Sequence, residues 1–153
     1  MRLYLVQHGE ARSEAEDPSR SLTERGRAEV RRVAAAAQKL GVRPVKILHS
    51  GKLRAQQTAE LFAEALHPSQ GVEAASGLSP NDPVQPRAER LNQQDADFML
   101  VAHLPHLHRL ASLLLCGDER AEIIRFRYAA VVCLEREGTR WAVQWILTPD
   151  MSR

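Results

Sequence analysis

Short apolar runs alternate with longer amphipathic stretches along this chain. The nearly continuous runs at 2–7, 45–49 and 97–102 are typical of strands buried on both faces of a sheet. The stretches at about 23–40 and 51–66, and the one that Pro105 begins, carry apolar residues at helical spacing. This alternation predicts a mostly parallel sheet with helices on both of its faces.

The rest of the chain completes this architecture. The Pro- and Gly-rich segment 67–86 predicts a loop with a short strand at 72–75, and a weak helical pattern follows at 86–94. The segments "AAVVCLE" and "RWAVQWIL", separated by a Gly-containing turn, predict an antiparallel hairpin. We therefore expect an α/β three-layer sandwich with a central mostly parallel sheet and a C-terminal antiparallel hairpin, formed by one domain over residues 1–153.

Several residues predict how these elements begin and pack. Ser21 or Thr23 is expected to cap the first helix, and Ser50 to cap the second. Trp141 and Trp145 alternate along the last strand, which indicates packing on the sheet rather than stacking on a ligand.

Composition narrows the classes of function. The chain has 21 basic and 19 acidic residues, a balance too even to indicate a nucleic-acid partner. No apolar run reaches the roughly 20 residues of a membrane span, and the N-terminal run does not resemble a signal peptide. Cys116 and Cys133 have neither metal nor redox spacing, which fits a cytoplasmic location.

Polar side chains follow all three buried strands. His8, Ser50 and His103 stand at the predicted carboxyl ends, and such ends meet at one ligand-binding edge of a parallel sheet. Arg54, in the first turn of the next helix, has a planar fork of donors suited to phosphate. Helix N-termini at the same edge also favour anions. The pattern predicts an anion site that contains a nucleophile.

The motifs "LYLVQHGEA", "HSGKLRAQQTAE" and "LVAHLPHL", in this order, resemble the histidine phosphatase (phosphoglycerate mutase-like) superfamily. The small size and the "LTERG" helix start resemble its SixA-type branch, the phosphohistidine phosphatases. This resemblance implies that His8 is a nucleophile that accepts the phosphoryl group, while Arg54 and His103 bind the phosphoryl oxygens. Ser50 belongs to the same phosphate site, and Gly9 would let the backbone turn close to the phosphate.

The resemblance also implies a substrate and a partner. We expect a metal-independent phosphatase without cofactor, acting on phosphohistidine in a protein, with neither nucleic acid nor membrane as a partner. Two alternatives stay open: a small-molecule phosphomonoesterase of the same superfamily, and a catalytically weak phosphate-binding module. A metal site at His103, His106 and His108 is disfavoured, because His106 and His108 are two positions apart on a helix and face different ways.

Two positions depart from the family pattern. Gln7 replaces the usual arginine, so this phosphate-binding position has no charge and no bidentate fork. A different basic residue can fill the space, and Arg12, Arg20 and Arg25 are near enough in sequence. Gly51 replaces the usual proline after Ser50, a change that we expect to be minor.

The general acid has no clear motif. Asp17 is the first candidate because it precedes "LTERG"; the others are Glu10, Glu14, Glu16 and Asp82. A phosphohistidine whose distal nitrogen is protonated leaves as neutral imidazole and needs little acid help, unlike an alkyl phosphate. A poor acid site therefore favours phosphohistidine as the substrate.

Overall fold

The computed structural model describes residues 1–152 and contains a six-stranded sheet in the order β3-β2-β4-β1-β5-β6. The strands are β1 (Arg2–Gln7), β2 (Lys46–His49), β3 (Val72–Ala74), β4 (Phe98–Ala102), β5 (Val131–Glu137) and β6 (Arg140–Leu147). The first four strands are mutually parallel where they pair, and β5 and β6 add an antiparallel hairpin beside β1. The predicted sheet is confirmed.

The helices cover both faces of this sheet. They are α1 (Glu24–Lys39), α2 (Leu53–Leu66), α3 (Gln85–Asn92) and α4 (His106–Cys116), followed by a short 3-10 turn (Pro149–Met151). Tyr4 and Val6 pack with α1 and α2, whereas Leu3 and Leu5 pack with α3 and α4. The apolar run of β1 is continuous because neighbouring residues of this strand are buried on opposite faces of the sheet. The predicted three-layer sandwich is confirmed.

The starts of the first two helices differ in how they are capped. Thr23 caps α1, since its Oγ1 accepts a hydrogen bond from Gly26 N at 2.9 Å. The prediction that Ser50 caps α2 is wrong, because that helix begins at Leu53 with Lys52 at its N-cap and without a side-chain cap. Gly51 has a φ of +90°, which turns the chain away from helix geometry before α2 begins.

The two tryptophans pack against the sheet, as predicted. The pairing of β5 with β6 shifts between Cys133 and Leu134, so β6 contains one extra residue there. Trp141 consequently packs on the α3–α4 side, where its Nε1 donates to Asn92 Oδ1 at 2.8 Å. Trp145 packs on the other side, with its ring 6.1 Å from that of Tyr4. None of the described helices is long and apolar enough to cross a membrane.

Candidate active site

The carboxyl ends of β1, β2 and β4 bring two histidines and a serine to one edge of the sheet. The rings of His8 and His103 lie 5.1 Å apart between centroids. Ser50 Oγ lies 2.6 Å from His103 Nε2, so this hydroxyl orients the ring instead of capping the helix. The backbone of His8 donates to the carbonyl of Ala102 at 3.1 Å, which fixes the end of β1 against the end of β4.

The imidazole of His8 is held in one tautomer. Its Nδ1 lies 2.7 Å from the carbonyl oxygen of Gly9, and because a carbonyl can only accept, Nδ1 carries the proton. The side chain is only 6% exposed. Burial, together with the charges of Arg54 and Arg20, lowers the pKa of His8 to about 4. At neutral pH the ring is uncharged, and Nε2 retains the lone pair that a nucleophile needs.

His103 is uncharged as well. Burial is the main cause that lowers the pKa of His103 to about 3, followed by the neighbouring His8 and the positive charge of Arg54. Its Nδ1 is buried without a hydrogen-bond partner among the described residues. In the free protein His103 is therefore available as a neutral hydrogen-bonding group rather than as a cation.

Arg54 is a cation that has no ion-pair partner among residues 1–152. It lies half-buried in the first turn of α2, and its Nε has no hydrogen-bond partner in the described part of the chain. Burial lowers the pKa of Arg54 most, and the charge of Arg20 lowers it further, whereas Glu14 raises it. No carboxylate within residues 1–152 forms an ion pair with Arg54. Such an unpaired guanidinium is prepared for an anionic ligand.

Arg20 is the second cation of this edge. Its backbone adopts a φ of +50°, in the left-handed region, and its Nε donates to the carbonyl of Arg12 at 3.1 Å. The charge of Arg20 lies near enough to His8 and Arg54 to lower the pKa of both. The segment after β1 therefore places the charge of Arg20 within electrostatic range of the histidine edge.

The other two arginines near Gln7 in sequence are engaged elsewhere. Arg12 Nη1 donates to Ser21 Oγ at 2.8 Å and to the carbonyl of Leu22 at 2.6 Å. Arg25 projects from α1 into solvent, with its Nε 3.9 Å from a carboxylate oxygen of Glu29. Of the three candidates, Arg20 is the one whose charge lowers the pKa of both His8 and Arg54.

Gln7 immediately precedes His8, and no hydrogen bond among the described residues joins its side chain to either histidine. Its backbone carbonyl accepts a hydrogen bond from Ala129 N at 2.9 Å, which continues the pairing of β1 towards β5. Its Oε1 is buried without a partner among the described residues. An amide oxygen is an acceptor and cannot bind phosphate oxygens, so only the amide nitrogen of Gln7 could do so.

The backbone of Gly9 makes two hydrogen bonds in the turn after β1. Its N–H donates to Thr58 Oγ1 at 2.9 Å, and its carbonyl accepts from His8. A Cβ on Gly9 would lie 2.8 Å from Val30 Cγ2 and 3.3 Å from the carbonyl oxygen of Gly26. The glycine lets α1 pack closely against this turn, and its carbonyl holds the ring of His8. Its place beside the phosphate stays a prediction.

The structure engages Asp17 away from the histidines. Its Oδ1 accepts from Ser19 N at 3.0 Å, and its Oδ2 accepts from Ser21 N at 3.0 Å and from Ser21 Oγ at 2.5 Å. These bonds, chiefly those from Ser21, lower the pKa of Asp17. The carboxyl group is thus ionised at neutral pH and shapes the loop, so the structure gives no support to Asp17 as a general acid.

Three of the other four acid candidates also accept local hydrogen bonds. Glu10 binds the Thr23 hydroxyl, Glu16 binds Ser13, and Asp82 binds the amide of Ser79. The fourth, Glu14, is exposed, although its charge influences Arg54. None of these contacts places a proton donor beside His8.

Tyr128 is a site residue that the sequence analysis missed. Its ring centroid lies 5.5 Å from that of His8, and the side chain is 43% exposed. Tyr128 precedes β5, which runs antiparallel to β1, so the start of β5 adjoins the end of β1. The sequence signal was therefore an aromatic residue just before the first strand of the hairpin. His106 and His108, in contrast, belong to no cluster of three or more possible metal ligands in the described chain.

Comparisons with known proteins agree with this geometry. The sequence profile of the histidine phosphatase superfamily (branch 1) matches residues 3–79. The structure resembles that of the protein histidine phosphatase SixA complexed with tungstate, at 25% identity and a TM-score of 0.87 over 98% of both chains. It also resembles a phosphoserine phosphatase of Entamoeba histolytica in complex with phosphoserine, at 14% identity and a TM-score of 0.73 over 98% of both chains.

A relative in sequence is an uncharacterized protein of Picosynechococcus sp., 33% identical over 92% of this chain and 88% of that protein. The chain belongs to the histidine phosphatase superfamily (branch 1), as its motifs indicated, and its form is SixA-type. Its family membership and its similarity to SixA show that the chain is a phosphatase, a hydrolase that removes phosphoryl groups.

Proposed function

We propose that this chain removes the phosphoryl group from phosphohistidine in a protein, through a covalent intermediate on His8. The observation that carries the proposal is the hydrogen bond from His8 Nδ1 to the Gly9 carbonyl at 2.7 Å. It leaves Nε2 unprotonated at the carboxyl end of β1, beside His103 and the unpaired Arg54. A buried neutral imidazole in this setting is suited to attack phosphorus in line.

In the first proposed step, Nε2 of His8 forms a bond to phosphorus as the bond to the leaving nitrogen breaks. Arg54 and Arg20 neutralise charge on the equatorial oxygens, and His103 adds a hydrogen bond. Water then attacks the phosphorylated His8 and releases inorganic phosphate. The proposed steps use side chains of this chain and need no metal or cofactor.

The arrangement of carboxylates supports phosphohistidine over an alkyl phosphate. Asp17, Glu10, Glu16 and Asp82 are bound in local hydrogen bonds, and the fifth candidate, Glu14, is exposed, so no carboxyl group is held in place to protonate an alkoxide beside His8. A phosphohistidine protonated at its distal nitrogen leaves as neutral imidazole, which removes the need for such a donor. The SixA structure that the fold resembles is named a protein histidine phosphatase.

The rim of the site supports a protein substrate. Leu104, next to His103, is 38% exposed, and Tyr128, next to His8, is 43% exposed. Exposed apolar and aromatic side chains around a catalytic centre are typical of surfaces that contact proteins. Both cysteines are free, which fits the cytoplasmic location expected from the sequence.

Turnover of three substrates tests the proposal. We expect the protein to dephosphorylate a phosphohistidine-containing phosphotransfer protein faster than phosphoserine or an aryl phosphate, as judged by kcat/KM. His8→Ala, with its fold verified by circular dichroism, should be inactive. A preference for phosphoserine would instead support the small-molecule phosphomonoesterase, whose fold this chain shares. Phosphate binding without turnover would identify the weak phosphate-binding module suggested by Gln7.

A further inference from the structure

A cavity of about 190 Å³ lies beside the loop that joins β3 to α3, outside the phosphoryl site. The residues that line it include Gly77, Asp82, Arg87 and Arg90. The loop is anchored near the catalytic edge, because Ala75 N donates to the carbonyl of His49 at 2.9 Å. Because Arg87 and Arg90 belong to α3, the cavity is on the α3–α4 side of the sheet, whereas Arg54 belongs to α2 on the other side.

Arg87 is a buried cation whose hydrogen bonding is incomplete. The residue is only 7% exposed. Its Nη2 donates to the carbonyl of Ser76 at 3.0 Å, but its Nε has no partner among the described residues. None of the carboxylates within residues 1–152 forms an ion pair with it. Because a guanidinium stays charged in proteins, Arg87 is a buried charge that no described carboxylate neutralises.

The groups around Arg87 do not supply that counter-ion. Burial lowers the pKa of Arg87 most, and the charge of Arg90 lowers it further. Asp82 lines the same cavity, but its Oδ2 accepts from Ser79 N at 2.9 Å, and among the described residues it forms no ion pair with either arginine. Two arginines thus border one small cavity, and one of them is buried and unpaired.

His106 forms the buried neighbour of this cavity. It is fully buried, and its ring lies beside the backbone of Gly77, which lines the cavity. Burial lowers the pKa of His106, Arg87 and Arg109 lower it further, and Asp82 and the Gly77 backbone partly offset these effects. The ring is thus neutral at pH 7 and does not add to the positive charge of Arg87 and Arg90.

We propose that this cavity binds a small oxyanion, a phosphate or carboxylate group, between Arg87 and Arg90. A planar guanidinium with free donors matches the two oxygens of such a group, and burial strengthens the interaction by excluding water. The anion supplies the negative charge that Arg87 lacks. This site is separate from the phosphoryl site, and its occupant lies next to the loop that contacts the end of β2.

Binding of inorganic phosphate, followed by NMR on backbone amides, tests the site. An Arg54→Ala background weakens the phosphoryl site, so the remaining response reports the cavity. We expect saturable shifts at the amides of Gly77 and Ala88 and at least a fivefold weaker affinity in Arg90→Gln. The matched control is Arg31→Gln, which removes an exposed arginine of α1 and should leave these shifts unchanged.

Three results would overturn the proposal. They are an absence of saturable shifts with both phosphate and acetate, equal affinities for Arg90→Gln and Arg31→Gln, and unchanged binding in a folded Arg87→Gln protein. Arg90 is exposed, so its variant tests the site even where Arg87→Gln does not fold. Wild-type turnover of phosphohistidine protein, measured separately, keeps a failure here distinct from a failure of the proposed function.

Kinetics distinguish the source of the anion. If the anion is an acidic group of the protein substrate, Arg90→Gln should raise the KM for phosphohistidine protein and leave the KM for an aryl phosphate unchanged. If the anion is instead a free one, Arg90→Gln should change the KM of neither substrate. Phosphate should still shift the amide signals of Gly77 and Ala88 in the protein that retains Arg90.

Discussion

The amide of Gly9 donates to Thr58 Oγ1 at 2.9 Å, and this bond ties the turn after the proposed nucleophile to helix α2. The same hydroxyl donates to the carbonyl of Arg54 at 2.8 Å. Thr58 is fully buried, so one hydroxyl fixes the turn that orients His8 against the turn that carries Arg54. Thr58 is thus a positioning residue, since it contacts the supports of the site rather than the phosphoryl group.

Thr58→Val should reduce both stability and turnover. The substitution keeps the shape of the side chain but leaves the buried Gly9 amide without an acceptor, at a cost of about 1–3 kcal/mol in the free energy of unfolding. Thr58→Ser keeps the hydroxyl and is the matched control. Urea denaturation and kcat for phosphohistidine protein measure the two effects. Equal values for the valine and serine variants would show that this hydroxyl does not position the site.

Arg54→Ala should weaken the binding of phosphate or vanadate by about 2–4 kcal/mol, because it removes a half-buried, charge-assisted donor. Arg31→Ala, which removes an exposed arginine of α1, is the control and should bind as wild type does. Calorimetric titration gives both affinities. An unchanged affinity in Arg54→Ala would mean that its guanidinium points away from the anion.

Arg20 rather than Gln7 should supply the charge that the missing arginine supplies in the family. Arg20→Gln should weaken phosphate binding by about 1–2 kcal/mol, the amount by which hydrogen bonds to charged groups exceed neutral ones. Gln7→Ala should bind phosphate as wild type does. The matched control is Arg25→Gln, which removes a neighbouring arginine exposed on α1 and should also bind as wild type does. The opposite pattern, with a loss in Gln7→Ala and none in Arg20→Gln, would assign the contact to Gln7.

Stability should decrease in acid because of the two neutral histidines. Burial lowers the pKa of His8 to about 4 and that of His103 to about 3, from an ordinary value of 6.5. The unfolded chain therefore binds more protons below pH 6.5, and the free energy of unfolding falls as the pH drops from 6.5 towards 3. At pH 4.5 each histidine should account for a loss of about 2 kcal/mol.

The comparison of two variants isolates this effect. His103→Asn should lose less stability than wild type between pH 7 and pH 4.5, as measured by urea denaturation. His67→Asn is the control, because His67 is exposed in a left-handed backbone position that asparagine tolerates. If His103→Asn and His67→Asn depend equally on pH, the ring of His103 is not held neutral by burial.

The residues at the strand ends could be predicted from sequence, because each buried apolar run stops at a polar residue and the carboxyl ends of parallel strands lie at one edge of the sheet. His8, Ser50 and His103 meet for that reason. The contacts of Ser50 could not be predicted, since a serine before a helix usually caps it, and only the left-handed turn at Gly51 redirects its hydroxyl to His103.

Loop and long-range contacts were not encoded in a local pattern. The sequence gives no reason to prefer one of Arg12, Arg20 and Arg25 as the substitute for the arginine absent at position 7. The hydrogen bonds of Arg12 and the exposure of Arg25 distinguish these two from Arg20. Tyr128 reaches His8 only through the pairing of β5 with β1, across a large separation in sequence. The identity of the neighbouring strand was needed before that contact could be predicted.

The most direct test of the proposed mechanism is to trap the phosphoenzyme. The protein is mixed with a phosphotransfer protein labelled on histidine with radioactive phosphate and quenched within milliseconds. If a phosphoramidate forms on His8, the protein should carry a label that survives alkali and is lost in acid. His8→Ala should carry no label. A labelled His8→Ala chain, or turnover by wild type without any alkali-stable label, would contradict a covalent intermediate on His8.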